Sequence, residues 1–234
     1  MLAPPPPDWS ALRAKAQQVY HRLEASLGLP DWSQPLPPLD ELVSTILSQN
    51  TNDRNRDVAF RRLRERFDSW EAVRDAPPDE VIECIRPAGL ANQKGPRIQE
   101  VLRSITQERG ALDLNFLYDL SPAEAMQWLM RFKGVGPKTA SIVLQFSLGK
   151  PAFPVDTHVY RTSGRLGLRP ERMTVEQAHL HLASLFEPDQ YGPGHLNLIR
   201  LGRQICHARS PQCAICPVSD LCDYYQAGLQ PSRA

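Results

Sequence analysis

The chain has almost no excess charge, few lysines and no long apolar run. Of its 234 residues, 27 are Lys or Arg and 26 are Asp or Glu, a formal net charge of +1. That balance excludes a uniformly basic chain holding nucleic acid by bulk charge, so any DNA-facing surface must come from uneven placement of cations. Arginine supplies most of the positive charge; the lysines are Lys15, Lys94, Lys133, Lys138 and Lys150. A lysine inside a motif is then harder to dismiss as background. No apolar stretch approaches the roughly 20 residues of a membrane-spanning helix, so no membrane partner is expected. The proline-rich start, Met1–Pro7, has no basic stretch leading into an apolar run, and a secretory signal is not expected. A cytoplasmic protein follows, nucleoid-associated in a bacterium. Thiols stay reduced there, and spaced cysteines serve metals rather than disulfides.

No segment alternates polar and apolar residues with period two, and none repeats, so the fold class expected is all-α. Residues 1–8 read as disordered and Pro30–Pro38 as an extended linker, with a helix over Trp9–Leu27 between them. Leu39, Leu42, Val43, Ile46 and Leu47 recur at helical spacing on one face. Further helices are predicted over Ser69–Asp75, Pro78–Ile85, Pro96–Glu108, Pro122–Phe132, Lys138–Leu148 and Leu196–Ile205. Ser121, Pro122 and Glu124 form a helix start of cap, N1 proline and capping-box glutamate, and Thr174 with Gln177 repeats it.

Three motifs carry chemistry. Gly134-Val135-Gly136 lies between an apolar helix and a new helix start. Its glycines permit a tight turn and close backbone approach to a ligand, and the N–H groups beyond it suit a phosphate. Such a hairpin holds DNA backbone without reading bases; a plain structural turn is the alternative for an isolated Gly-x-Gly. Next comes Val155-Asp156-Thr157-His158, where Asp156 also has the form of a helix N-cap. Last are Cys206, Cys213, Cys216 and Cys222, spaced C-x6-C-x2-C-x5-C. Soft thiolates bind zinc or an iron–sulfur cluster. A structural zinc site usually shows two close pairs, and only Cys213–Cys216 is close here. Cys84 falls with Val81 and Ile85 on one helical face and is expected in the core.

Taken in this order, Gly134 to Ala140, Val155 to His158 and the cysteine spacing resemble the endonuclease III family of DNA glycosylases, over about Leu36 to Tyr225. The resemblance implies a six-helix bundle at 36–150 and a second lobe of 1–35 with 151–234, DNA lying in the cleft between them. It implies a 4Fe–4S cluster on the four cysteines, shaping the loop that sets Arg209 against a phosphate. It makes Lys138 the nucleophile, which attacks the sugar C1′ as a neutral amine, and Asp156 the carboxylate that assists it. Gly134 and Gly136 become backbone-binding residues, and Lys133 stands where the family usually has proline.

The segment Gly89-Leu90-Ala91-Asn92-Gln93-Lys94 resembles the family's minor-groove loop, with Leu90 as the intercalating wedge. Ala91 replaces a common aromatic. Ser48-Gln49-Asn50-Thr51 falls where the family places a glutamine that fills the gap left by a flipped nucleotide. Counting puts Asn50 at that position and Gln49 one residue earlier, and both stay candidates. The activity implied is that of a bifunctional glycosylase and abasic-site lyase, a monomer acting on oxidised pyrimidines or abasic sites in duplex DNA. A monofunctional mismatch glycosylase of the same fold, or a non-catalytic DNA-binding protein, are the rivals. The adenine-mismatch branch carries a further C-terminal domain, whereas this chain stops soon after the cysteines, and Lys138 favours the bifunctional reading.

Overall fold

The computed structural model describes residues 8–32 and 34–229, and among these there is no β-strand. Contacts divide the chain into two compact units, Gln34–Lys150 and Met1–Ser33 with Pro151–Ala234. Residues 1–7, expected to be disordered, lie outside the described residues. Asp8, the last of that expected stretch, is instead an N-cap: its carboxylate accepts from the N–H groups of Ser10 at 3.0 Å and Ala11 at 3.2 Å. It opens α1, Trp9–Leu27.

The unit Gln34–Lys150 is a bundle of seven α-helices that follow one another through short turns. α2, Pro38–Ser48, starts on proline and buries Leu39, Leu42, Val43, Ile46 and Leu47, the face read from spacing. α3, Asp53–Arg66, is capped by Asn52 and buries only Ala59 and Leu63. α4 is Trp70–Asp75 and α5 is Pro78–Ile85. α6 runs over Ala91–Arg109, five residues earlier than expected, with Pro96 inside it. The proline is tolerated because the carbonyl it cannot serve belongs to exposed Asn92, which water can satisfy. The expected wedge loop therefore shrinks to Gly89 and Leu90.

α7, Pro122–Leu129, carries the capping box of Ser121 and Glu124 and stops short of Phe132. α8 covers only Pro137–Ile142, and a wider π-helical turn, Val143–Ser147, replaces the rest of the expected helix. There the N–H of Leu148 reaches the carbonyl of Val143 and that of Lys150 reaches Leu144. Ile98, Leu102, Ile105 and Leu117 are fully buried, each contributing about 2 kcal/mol by burial. Cys84 is half-buried rather than core, and burial pushes its thiol up.

The other unit packs α1 against α9 (Thr157–Arg165), α10 (Val175–Ala183), α11 (Tyr191–Gln204) and the short α12 (Asp223–Gln226). The N-terminal helix joins the C-terminal part of the chain through its buried Ala16, Val19, Tyr20 and Leu23. Phe153 stacks on Phe186 with ring centroids 5.1 Å apart in the same core. Arg22 reaches Asp220 and Lys15 reaches Asp223, both at 2.5 Å, tying α1 to the residues on either side of Cys222. No described helix is long and apolar enough to cross a membrane.

Candidate DNA-binding and cysteine sites

In the bundle, Phe132 ends the apolar run after α7 and its carbonyl accepts from the N–H of Val135 at 3.0 Å. Gly134 between them has φ of 82°, a left-handed backbone that favours glycine. Space demands glycine as well: an ideal Cβ would lie 2.0 Å from Arg97 Nη1. Gly136 is the N-cap of α8, and with no side chain it supplies no capping acceptor. Pro137 follows at N1, and Lys138 stands half-buried at the second helical position.

The amide of Gln49 donates to the Gly134 carbonyl at 3.1 Å, so the end of α2 is pinned to the hairpin. Asn50, the next residue, is exposed with φ of 52°. Asparagine visits that conformation more readily than most side chains. The two candidates for the gap-filling position are thereby separated: Gln49 is engaged within the protein and Asn50 faces outward. Leu90 also has a left-handed backbone, at φ 50°, and it is 47% exposed rather than packed inward. A leucine held out in that way has the form of a wedge.

In the other unit, Asp156 caps α9: its carboxylate accepts from the N–H of Val159 at 2.7 Å. His158 lies one turn from Arg161, with Nδ1 3.1 Å from Nη2, and burial pulls its imidazole below the ordinary range. α9 continues into the cysteine segment through two arginines one turn apart. Arg161 donates to the carbonyls of Cys206 at 3.1 Å and Gly202 at 2.9 Å. Arg165 Nη1 donates to Cys206 Sγ at 3.3 Å and to the His207 carbonyl at 2.7 Å, and Nη2 to the Ala208 carbonyl at 2.9 Å. Cys222 Sγ in turn donates to the Arg165 carbonyl at 3.2 Å. Sequence reading did not single out Arg161 or Arg165. Their signal was available, since residues four apart on a capped helix share a face.

Cys206, Cys213, Cys216 and Cys222 line one cavity, with Leu166, Leu201, Ile205 and Tyr224 among its other walls. Among the described residues no three His, Cys, Asp or Glu side chains are gathered as for a single metal ion. The four thiols line a shared space, as the ligands of a cluster would. Burial pushes Cys216 up to about 11 and raises Cys213 and Cys222, with repulsion between the cysteines adding to it. Thiols so placed become thiolates only against positive charge such as iron supplies, with Arg165 as partial compensation. Arg209, in the exposed loop between Cys206 and Cys213, points to no partner among the described residues. Ser210 beside it has φ of 50°.

The chain matches the HhH-GPD superfamily of base excision DNA repair proteins over residues 43–188. A second match, over 206–222, is to the iron–sulfur binding domain of endonuclease III, and it begins and ends on cysteines. The chain belongs to the endonuclease III family. Among its relatives, Endonuclease III of Thermotoga maritima is 34% identical over 189 residues, covering 81% of this chain and 84% of that one. A non-covalent Endonuclease III–DNA complex superposes with a TM-score of 0.80 at 25% identity, covering 98% and 99% of the two chains. A trapped Endonuclease III–DNA covalent intermediate gives 0.76 at 27%, covering 92% and 99%. The all-α fold read from the sequence is that of the family. The protein is an endonuclease III family DNA glycosylase of base excision repair, it binds DNA, and its cofactor is a 4Fe–4S cluster.

Proposed function

We propose that this protein is a bifunctional enzyme that removes oxidised pyrimidines from duplex DNA and cuts the abasic sites left behind. The observation that carries this reading is Lys138, a half-buried amine at the second position of the helix that leaves the Gly134–Gly136 hairpin. The hairpin holds the DNA backbone through Gly134 and Gly136, and Lys138 is presented from the same turn. Its neutral amine attacks C1′ and the glycosidic bond breaks, its electron pair leaving with the base. The protonated nitrogen loses its proton as the sugar ring opens to a Schiff base. Loss of a proton from C2′ then breaks the bond to the 3′ oxygen and cuts the strand. Asp156 supplies the carboxylate that accepts protons and offsets positive charge developing on the sugar. Arg209 contacts a phosphate, Leu90 enters the stack, and Asn50 fills the gap while Gln49 holds the hairpin.

Cys206, Cys213, Cys216 and Cys222 hold the 4Fe–4S cluster, which when bound fixes the fold of the segment around them. The protein acts as a cytoplasmic monomer. The trapped covalent intermediate of Endonuclease III supports a nucleophile within the enzyme, which a monofunctional glycosylase lacks.

Borohydride trapping on a duplex with a defined oxidised pyrimidine tests the reading. A reduced protein–DNA adduct should form with the native chain and vanish in Lys138→Gln, which keeps DNA binding. Asp156→Asn should form it far more slowly. Base release without any adduct would establish the monofunctional enzyme instead.

A further inference from the structure

Lys94 is 4% exposed, and no ion pair among the described residues includes it. Its Nζ donates to the carbonyl of Leu47 at 2.7 Å and to that of Ala88 at 2.8 Å. Both acceptors sit at element ends, where carbonyls lack helical partners: Leu47 lies in the last turn of α2, and Ala88 closes the turn before Gly89. An ammonium taken out of water with only main-chain partners is a costly way to fill a core position that methionine would fill more easily. What it achieves is geometric. Two residues beyond Ala88 stands Leu90, and three beyond Leu47 stands Asn50. Both have left-handed backbones, an unfavourable state for these residues that persists only where the surroundings fix it.

We propose that Lys94 is the positioning residue that holds the Leu90 turn and the Gln49–Asn50 turn at a fixed spacing, so that wedging and gap filling act together during base extrusion. This rests on the roles given to Leu90 and Asn50 in the proposed function. Lys94 touches no substrate. Through the Gln49–Gly134 bond the same network reaches the hairpin. One buried cation thus joins three segments that face DNA.

Lys94→Met keeps the apolar stem and removes the donors. With native enzyme as reference, single-turnover excision of a paired oxidised pyrimidine should fall about tenfold or more, because extruding a stacked base needs both turns. Cleavage of a preformed abasic site, which has no base to extrude, should change by less than about threefold. In a Leu90→Ala background the Lys94→Met change should add little, since contacting functions couple non-additively. Equal loss on both substrates, or full additivity with Leu90→Ala, would overturn the proposal.

A readout independent of catalysis separates this from failure of the enzymatic reading. The probe is a duplex with 2-aminopurine beside a 2′-fluorinated lesion nucleotide that resists excision. Its fluorescence should rise on binding native protein and rise much less with Lys94→Met at saturation; an equal rise overturns the proposal whatever the enzyme does. Thermal unfolding establishes that the variant is folded, and Lys94→Leu, which also lacks a donor, takes its place in the same measurements if it is not.

Discussion

The side-chain amide of Gln49 donates to the main-chain carbonyl of Gly134, 85 residues away in sequence and 3.1 Å away in space. This bond assigns different work to two neighbours that sequence could not separate. Gln49→Ala should cost about 1 kcal/mol of hairpin order, and hence roughly fivefold in affinity for every duplex regardless of sequence. Asn50→Ala should instead slow excision from paired duplex and alter its dependence on the opposite base. Equilibrium binding and single-turnover rates on a panel of opposite bases check both. If Gln49→Ala is the variant that changes opposite-base preference, the assignment is reversed.

Gly134 is constrained twice, by its φ of 82° and by Arg97 packed into the space of a side chain. Gly134→Ala should destabilise the protein by about 1–3 kcal/mol and weaken DNA binding more than that loss alone explains. Arg97→Ala in the same chain removes the clash but not the torsional strain, so it should restore part of the stability. Urea unfolding of the two single variants and the double variant measures the split.

The sequence was legible where one local rule decided the outcome. The face of α2 followed from apolar spacing, and the starts of α7 and α10 from their capping boxes. It was illegible where the environment decided. α3 is dense in arginine and buries only Ala59 and Leu63, so its periodicity is weak. α6 begins at Ala91 because the carbonyl of Leu90 accepts from the N–H groups of Gln93 and Lys94, five residues before the proline that suggests a start. The cysteine spacing and the hairpin glycines were legible as residue types, because thiolate ligands and a left-handed glycine in a tight turn have few substitutes. Their supports were not. Nothing in the spacing of Lys94 or Arg97 announces a reach to main-chain carbonyls or to a glycine, and the shared face of Arg161 and Arg165 does not say which carbonyls and which thiol it meets.

Iron content tests the cysteine site. The purified protein should be yellow-brown with broad absorbance near roughly 400 nm and about four irons per chain. Arg165→Gln removes donors to Cys206 Sγ and to the carbonyls of His207 and Ala208. It should lower iron retention during dialysis against a chelator, since partners beyond the ligands orient them. Stoichiometric zinc without iron would overturn the cluster assignment.

Arg209 is exposed in the loop between Cys206 and Cys213. If that loop faces a phosphate, Arg209→Ala should reduce the slope of log affinity against log salt by about one and weaken all duplexes alike. Binding titrations across a salt series read the slope. An unchanged slope would place Arg209 in solvent.

Lys94 gives a pH signature of its own. Burial lowers its ammonium to about 8, below the ordinary lysine value of about 10.4. At a pH under both values the group is charged in the folded and unfolded states alike, and the penalty of burying the charge is present in full. Between about pH 8 and about pH 10.4 the unfolded chain binds more protons than the folded one, so the contribution of Lys94 to stability rises with pH. The neutral amine that results still has two hydrogens, one for each of the carbonyls of Leu47 and Ala88. Other groups titrate in the same range, so the quantity to measure is the difference in unfolding free energy between native protein and Lys94→Met. That difference should shift in favour of the native chain by about 1 kcal/mol per pH unit between roughly pH 8 and pH 10, and stay level below. A difference independent of pH would mean that Lys94 stays charged in its pocket throughout.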